Sequence, residues 1–330
     1  MKELFASILN WIAGIVGNYG WSMVIFTIFM KLLVMPLSFK SRKSMRKMSA
    51  LQPEIAKLQK RYANDQQKMN MKMQALYQKE KVSPMSGCLP MLISMIILII
   101  MFNAMRLVAN EKLAAQSLQL LASGNIEQAK ETWLWIKNIW MPDTPFVPFV
   151  ADKAQTLSII PVDVWKASLT KITDPAQLTA LQSLNITADN ITGEAVFTAL
   201  QASETWQALG GTAAIATRIP TGLFGTWNVF KTHNGLFILP ILACVTQFLM
   251  SAGQNQQPQP ENGSGAGTGK FMKYFFPLIT LFFCFSYNAA FALYWVVSNV
   301  YAWVENMVFN LILDKQDKQE SAVIEEDSIK

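Results

Sequence analysis

Apolar residues fall in five long blocks along the chain, and the sequence between the blocks is polar or charged. A bilayer core of ~30 Å takes roughly 20 residues of helix to cross, and the blocks read as membrane helices although the third and fourth are short for it. The pattern therefore predicts an all-α integral membrane protein with a core of five transmembrane helices. The predicted spans are residues 21–39, 87–107, 236–252, 271–286 and 289–313.

The first residues of the chain carry a different pattern. Apolar side chains recur there every three or four positions, from Leu4 to Ile15. This spacing gives a helix one apolar face and one polar face, which is typical of helices that lie flat at a membrane interface. Residues 1–20 are therefore predicted to form an interfacial amphipathic helix, and we do not expect them to act as a cleaved signal peptide.

The distribution of basic residues predicts the orientation of the spans. From Ser38 to Val82 the chain has 12 Lys and Arg residues against 3 acidic residues. Basic connectors stay in the cytoplasm, so residues 40–86 are predicted to lie inside, with the N-terminus outside and the C-terminus inside. The other connectors follow: 108–235 outside, and the linker 253–270 and acidic tail 314–330 in the cytoplasm.

Both long connectors have helical patterns of their own. From Pro53 to Lys81 there is no glycine, and the residue types favour helix. A turn at residues 62–67 would fold this basic connector into an antiparallel helical hairpin. Between Asp143 and Asn234, stretches such as "DPAQLTALQSL" predict a small, mostly helical extracytoplasmic insertion. The Gly-, Gln- and Pro-rich composition of residues 253–270 predicts a flexible linker.

Composition agrees with a membrane protein and offers little for catalysis. Of the 330 residues, 52% are hydrophobic and 15% are charged. The cysteines Cys88, Cys244 and Cys284 lack the spacing of a metal site, and the single histidine has no cluster of partners. The sequence contains no recognisable Ser, His and carboxylate set. It therefore predicts a protein that is not an enzyme and that uses no cofactor and no metal.

Several polar residues lie inside the predicted spans, and Lys31 is the most costly of them. A charged side chain near the middle of a membrane helix costs roughly 2.5–3.5 kcal/mol. Thr27 precedes Lys31 by one helical turn and shares its face. Such residues usually face a wet cavity, so we predict a hydrated, positively charged pocket. Two alternatives stay open: Lys31 reaching the headgroups or pairing with Glu305, and the small hydroxyls bonding to neighbouring helices.

Four segments resemble the YidC-type membrane protein insertases, in the form that lacks the large N-terminal periplasmic domain. They are "GNYGWSMVIFTIFMKLLVMPLSFKSRKSMRKMSALQPEIAKLQKRY", "CLPMLISMIILIIMFNAMR", "FILPILACVTQFLM" and "FALYWVVSNV". The resemblance implies a wet groove among five helices, with one positive residue on the first. Lys31 takes that place, where the family usually has arginine, and Glu305 stands where glutamine is common. The substrate-groove residues that it implies are Thr27, Lys31, Ser94, Gln247, Trp295, Ser298, Asn299 and Glu305.

The resemblance also implies a function and a location. It implies a protein of the bacterial plasma membrane that inserts, folds and assembles newly made membrane proteins, alone or with the Sec translocon. The expected partners are nascent membrane proteins, the lipid bilayer and, through the basic connector, the ribosome, with no small-molecule substrate. Two other functions remain open at this point. One is an anion channel or small-solute transporter that binds its solute at Lys31, and the other is an assembly scaffold that inserts nothing.

Overall fold

The computed structural model describes residues 2–80, 82, 89–127, 130–222, 225–253 and 265–329. Side chains are described for fewer residues, without those at 2, 89–94, 252–253, 265–273 and 320–329. Within this set the chain is mostly helical. Its α-helices are α1 (Lys2–Val16), α2 (Tyr19–Ala50), α3 (Gln52–Arg61), α4 (Gln66–Lys79), α5 (Leu89–Ser123), α6 (Ala154–Ser158), α7 (Val162–Thr170), α8 (Pro175–Ser183), α9 (Gly193–Ala202), α10 (Glu204–Leu209), α11 (Ile238–Gly253), α12 (Gly265–Ser286) and α13 (Ala289–Ile329).

Three helices are much longer than the spans predicted within them. α2 continues through Pro36 to Ala50, α5 continues to Ser123, and α13 continues to Ile329. The residues beyond the apolar blocks are basic in α2, rich in Ala, Leu and Gln in α5, and rich in Lys, Glu and Asp in α13. Most of these residue types favour helix. The length of an apolar block is therefore a poor guide to where these helices end.

The chain divides into two compact units, which are described separately below. The first unit comprises Met1–Phe26, Ile100–Cys244 and Ile279–Val296. The second unit comprises Thr27–Ile99, Val245–Leu278 and Val297–Lys330.

In the first unit, the amphipathic segment forms α1, which buries one side and exposes apolar residues on another. Leu9 and Ile12 are buried, whereas Trp11 and Ile15 are 68% and 67% exposed. An exposed tryptophan beside an exposed isoleucine is unfavourable in water and suits contact with lipid. The interfacial position predicted for this segment remains a prediction.

A buried amide network holds the core of the first unit. The side-chain nitrogen of Asn234 donates to the carbonyls of Asn138, Met141 and Pro142 at 2.9, 3.0 and 2.9 Å. The backbone nitrogen of Asn138 donates in return to Oδ1 of Asn234 at 2.7 Å. The Asn138 side chain also donates to Oε1 of Gln116, on α5, at 2.7 Å. Because buried amides are costly unless paired, this network fixes the segment after α5 against the segment before α11.

The carboxylate of Asp143 caps the approach to α11. It is fully buried and accepts hydrogen bonds from the backbone nitrogens of Leu236, Phe237 and Leu239 at 2.8, 3.2 and 2.7 Å. The indole nitrogen of Trp135 donates to it at 3.3 Å. A negative group is favourable at a helix N-terminus because unpaired N–H groups and the helix dipole point toward it. One side chain therefore holds two segments that are distant in the sequence.

A charged cluster joins α1, α2 and α5 in the same unit. The ammonium of Lys112 lies 2.8 Å from Oε1 of Glu131 and 4.4 Å from the centre of the Tyr19 ring. The Tyr19 hydroxyl donates to Asn10 at 3.0 Å, and its ring contacts Trp140 edge to face. Burial by itself lowers the pKa of Lys112, but the hydrogen bond and charge of Glu131, together with Tyr19, outweigh it and raise the pKa.

We expect Lys112→Met to lower the unfolding free energy by about 1–2 kcal/mol at pH 8, since charge-assisted hydrogen bonds contribute about that much. A lysine whose folded pKa is raised stabilises the fold fully below its unfolded pKa, near 10.4. That stabilisation is lost as the pH rises through the folded pKa. In thermal unfolding measured from pH 8 to 11, the difference in midpoint temperature between wild type and variant should therefore shrink at the alkaline end. The Lys166→Met variant, which changes an exposed lysine, should have the midpoint temperature of wild type at every pH. A difference in midpoint for Lys112→Met that stays constant with pH would contradict the charge-based account.

The insertion of the first unit contains a β-hairpin, which corrects the all-α prediction. β1 (Ile215–Pro220) pairs antiparallel with β2 (Thr226–Phe230). The turn between them has Gly222 and Gly225 at φ values of 61° and 80°, a region that favours glycine. β-Branched and aromatic residues on both strands favour sheet. The helices α6–α10 precede this hairpin, and α6, α7 and α8 each contribute a fully buried side chain, namely Leu157, Trp165 and Leu181.

In the second unit, α3 and α4 occupy the segment for which the sequence predicts a helical hairpin, and they pack against each other. The turn covers residues 62–65, where Asp65 accepts a hydrogen bond from the backbone nitrogen of Lys68 at 2.9 Å. Residues 83–86 of the basic connector lie outside the described residues, as does most of the linker predicted at 253–270. The last residues of that linker belong to α12, which begins at Gly265.

Large apolar side chains are exposed along several helices. Among the described residues, the segments Tyr19–Ala50 and Ala289–Gln319 are long and apolar enough to cross a membrane, judged by length and composition. Ile238–Ser251 and Tyr274–Ser286 are shorter apolar helices. Exposed residues such as Leu33 and Leu311, at 61% and 70%, are typical of a surface in contact with lipid.

Candidate functional site

Lys31 and Thr27 lie on α2 in the second unit, one helical turn apart. Thr27 is fully buried and Lys31 is half-buried. Glu305, on α13, is also half-buried, and its charge interacts with that of Lys31. The ion pairs within 4.0 Å among the described residues do not include Lys31 with Glu305. The two charges therefore attract each other without direct contact.

A second cation acts on the same carboxylate. Arg42, further along α2, is half-buried, and its charge also interacts with Glu305. Arg42 follows Lys31 by 11 positions, which is about 16 Å along the helix and close to three full turns. The two cations therefore share a face of α2. The sequence places Arg42 in the basic connector, so it is missing from the predicted groove set, although its helical spacing from Lys31 signals the shared face.

Amide and hydroxyl groups of α11 and α13 lie in the same unit. Asn299 is buried and donates through its side-chain nitrogen to the hydroxyl of Thr246 at 3.3 Å. Gln247, the next residue on α11, is buried as well. The hydroxyl of Ser298 is buried and has no hydrogen-bond partner in the part of the chain that the structure describes. A buried hydroxyl without a partner costs about 1–3 kcal/mol.

Contacts between α2 and α13 show that the two helices run in the same direction within this unit. The Phe39 ring meets the Phe309 ring edge to face, with centroids 5.0 Å apart. Further along both helices, Arg46 forms ion pairs with Asp314 and, at 3.0 Å, with Asp317. Contacts that advance toward the C-terminus on both helices require a parallel arrangement. Two parallel helices that cross a membrane would place these charged ends on the same side.

Six of the eight predicted groove residues thus have described side chains in the second unit. These are Thr27, Lys31, Gln247, Ser298, Asn299 and Glu305. Ser94 also belongs to this unit, on α5, but its side chain lies outside the described residues. Trp295 belongs to the first unit, where its ring lies 5.6 Å from that of Phe291.

The charged and amide groups described above can attract and bind polar or charged segments. Two cations, one carboxylate and several amides can attract acidic or polar chain segments and hydrogen-bond to peptide groups. In the described ranges, His, Cys, Asp and Glu form no group of three that could hold a metal ion.

Among the described residues, two helices are long and apolar enough to cross a membrane, judged by length and composition, as is typical of integral membrane proteins. Comparison with known proteins gives the family. The profile of the 60Kd inner membrane protein family matches residues 11–192 and 194–316. The chain therefore belongs to this family, and its resemblance to the YidC-type insertases is confirmed.

Relatives that carry the name membrane protein insertase YidC occur in several bacteria. The relative from Fusobacterium nucleatum is 43% identical over 106 residues, which are 32% of this chain and 52% of the relative. The relative from Aromatoleum aromaticum is 38% identical over 141 residues, which are 42% of this chain and 22% of the relative. The one from Cupriavidus taiwanensis is 40% identical over 146 residues, 44% of this chain and 23% of the relative. The chain thus spans between about a fifth and a half of the length of these relatives.

Proposed function

We propose that this protein inserts newly made membrane proteins into a bacterial plasma membrane and helps them fold and assemble. The observation that carries the proposal is the set of Lys31, Arg42 and Glu305 on the parallel helices α2 and α13, in a chain of the insertase family. The names of the relatives describe insertion and not a chemical reaction, so the proposed activity is not enzymatic.

Five helices would form the membrane core in this proposal. α2, α5, α11, α12 and α13 each expose several large apolar side chains, which water would disfavour and lipid would accept. With the basic connector in the cytoplasm, the N-terminus lies outside and the C-terminus inside. This topology also requires α2 and α13 to run in the same direction, in agreement with the contacts between them.

The site would lower the cost of moving a polar tail across the membrane. Each unsatisfied backbone group in hydrocarbon costs several kcal/mol. A cation at Lys31 attracts acidic groups of the tail, while the amides of Gln247 and Asn299 can exchange hydrogen bonds with its peptide groups. The apolar segment of the substrate would then slide along the exposed apolar helices into lipid. Burial of that segment, at about 25 cal/mol per Å², would drive the step.

The helical hairpin of α3 and α4 would receive the substrate or its ribosome. Its lysines and arginines are mostly exposed, whereas Ile55 is buried. A basic hairpin that projects into the cytoplasm suits anionic headgroups, ribosomal RNA or acidic segments of nascent chains. Contacts with the ribosome and with the Sec translocon are part of this proposal.

Purified protein in liposomes tests the proposed function against its two rivals. The substrate is a short membrane protein with an acidic translocated tail, made in a purified translation system without membranes. Its tail should become protected from protease in liposomes that contain the protein. Liposomes without it should protect several-fold less substrate. The same liposomes should retain a trapped labelled anion. Release of the anion without insertion would favour a transporter, and neither activity would favour a scaffold.

A further inference from the structure

The first unit contains a cavity of about 870 Å³ that the groove proposed above does not use. It lies between the second half of α5, the loop 140–147, the start of α6, strand β2 and the junction of α12 with α13. Pockets that hold small molecules have volumes of about 300–1,000 Å³. The cavity is therefore large enough for a ligand of substantial size.

The position of the cavity relates it to the membrane surface. Its lining includes Phe102 near the end of the span predicted at 87–107, and Phe285 near the end of the span at 271–286. It also includes Phe291 near the start of the span at 289–313. Three predicted spans thus meet the cavity at their ends. The cavity lies where hydrocarbon gives way to headgroups, on the side proposed to face outward.

Along α5 the lining passes from the aromatic Phe102 to the charged Arg106, and further aromatic residues line the cavity from loop 140–147 and β2. Phe102 and Phe291 contact each other edge to face, with ring centroids 5.6 Å apart, and form an apolar wall. The charged residues of the lining are Arg106, Lys153 and Asp152, two basic and one acidic. Burial raises the pKa of Asp152, and the charge of Lys153 offsets part of that effect. The cavity therefore combines aromatic walls that suit hydrocarbon with a lining of net positive charge.

Arg106 is the group best placed to recognise a ligand. It is exposed, and no hydrogen bond or ion pair links it to another residue in the described part of the chain. A guanidinium offers a planar fork of N–H donors that matches phosphate oxygens. Arg106 follows Phe102 by one helical turn on α5, so the phosphate donor and the apolar wall lie on one face.

We propose that this cavity binds one phospholipid molecule of the adjoining leaflet, with its phosphate at Arg106 and an acyl chain along Phe102 and Phe291. The proposed topology, which belongs to the proposed function, supplies the level of the cavity in the membrane and the identity of the leaflet. An amphiphile fits the lining because it offers basic groups to a phosphate and aromatic walls to an acyl chain. A bound lipid would support the junction of α12 with α13 against the insertion.

Photolabelling with a phospholipid that carries a diazirine near the end of one acyl chain tests this site. The full chain in detergent, labelled and digested, should show preferential labelling of peptides containing Phe102 and Phe291. Arg106→Ala should reduce that labelling at least threefold, and Ile159→Trp, which narrows the cavity, should reduce it while leaving Arg106 in place. Arg218 is an exposed arginine of β1 outside the lining, so Arg218→Ala should leave the labelling of these peptides as in wild type.

Three results would overturn the lipid assignment. The first is labelling of these peptides no stronger than that of the exposed apolar residues of α2. The second is equal labelling by a diacylglycerol probe, which lacks phosphate. The third is a photoreactive residue at Ile159 that crosslinks to a substrate chain during insertion and never to lipid, which would make the cavity a peptide site. Labelling requires no insertion activity, so failure here and failure of the proposed function are distinguishable.

Discussion

Lys31→Ala is expected to slow insertion of a substrate with an acidic tail about tenfold, which corresponds to about 1.4 kcal/mol. Removing the ammonium takes away the attraction for the tail and leaves Glu305 to repel it. Lys31→Glu should abolish insertion, because it adds a second carboxylate near Glu305. Lys31→Arg should remain active, since it keeps the charge and adds a guanidinium fork. The measurement is the rate of tail translocation in cells depleted of their own insertase.

A matched substrate and a matched variant isolate the role of charge. For the same substrate with a neutral tail, Lys31→Ala should slow insertion less than threefold, because the effect of the substitution on the rate comes from the acidic groups of the tail. Lys40→Ala, which removes an exposed lysine of the same helix, should leave both substrates unaffected. Wild-type rates for both substrates with Lys31→Ala would remove the cation from the mechanism. Hydration and local thinning of the bilayer would then have to lower the barrier.

Glu305→Gln extends the same reasoning to the other side of the charge cluster. Glu305 attracts both Lys31 and Arg42, and so competes with an acidic tail for these cations. Replacing it with the neutral amide should raise insertion of the acidic-tail substrate above wild type and leave the neutral-tail substrate unchanged. In the double variant with Lys31→Glu, it should also restore part of the insertion rate that Lys31→Glu removes. A further loss in the double variant would show that Glu305 contributes to insertion in its own right.

The helical character of the molecule could be predicted from the sequence, because apolar blocks and helix-favouring residues are local signals. Lys31 could be singled out for the same reason, since one charge inside an apolar block is visible without a structure. The ends of α2, α5 and α13 could not be placed, because charged residues continue a helix as readily as they end one. Arg42 was missed for this reason, since the basic composition around it indicates a connector.

Contacts between distant segments were the other part that the sequence could not supply. Asp143 and Leu239 belong together only in the fold, and nothing in the local sequence of either residue indicates the other. The β-hairpin escaped detection because strands of 6 and 5 residues are too short for their alternation to stand out among helices. Its Gly-containing turn was the one local signal for it.

Asp143→Ala is expected to be among the most destabilising substitutions in the first unit, at about 3–5 kcal/mol. The alanine would leave three backbone N–H groups and the Trp135 indole without their buried acceptor. In a domain of this size such a loss lowers the thermal midpoint by roughly 10 °C. The measurement is thermal unfolding of the purified protein in detergent, followed by tryptophan fluorescence and by helical circular dichroism.

The thermal midpoint of Asp143→Asn should lie about halfway between those of Asp143→Ala and wild type, and the reason is geometric. Oδ1 accepts from Leu236 and Phe237, while Oδ2 accepts from Leu239 and Trp135. An asparagine keeps one oxygen and replaces the other with a donor, so it preserves one pair of bonds and opposes the other pair. The exposed Asp163→Ala variant should unfold as wild type does. Equal midpoints for the asparagine variant and wild type would mean that one pair of these bonds contributes nothing, and the cap would then hold α11 through a single oxygen.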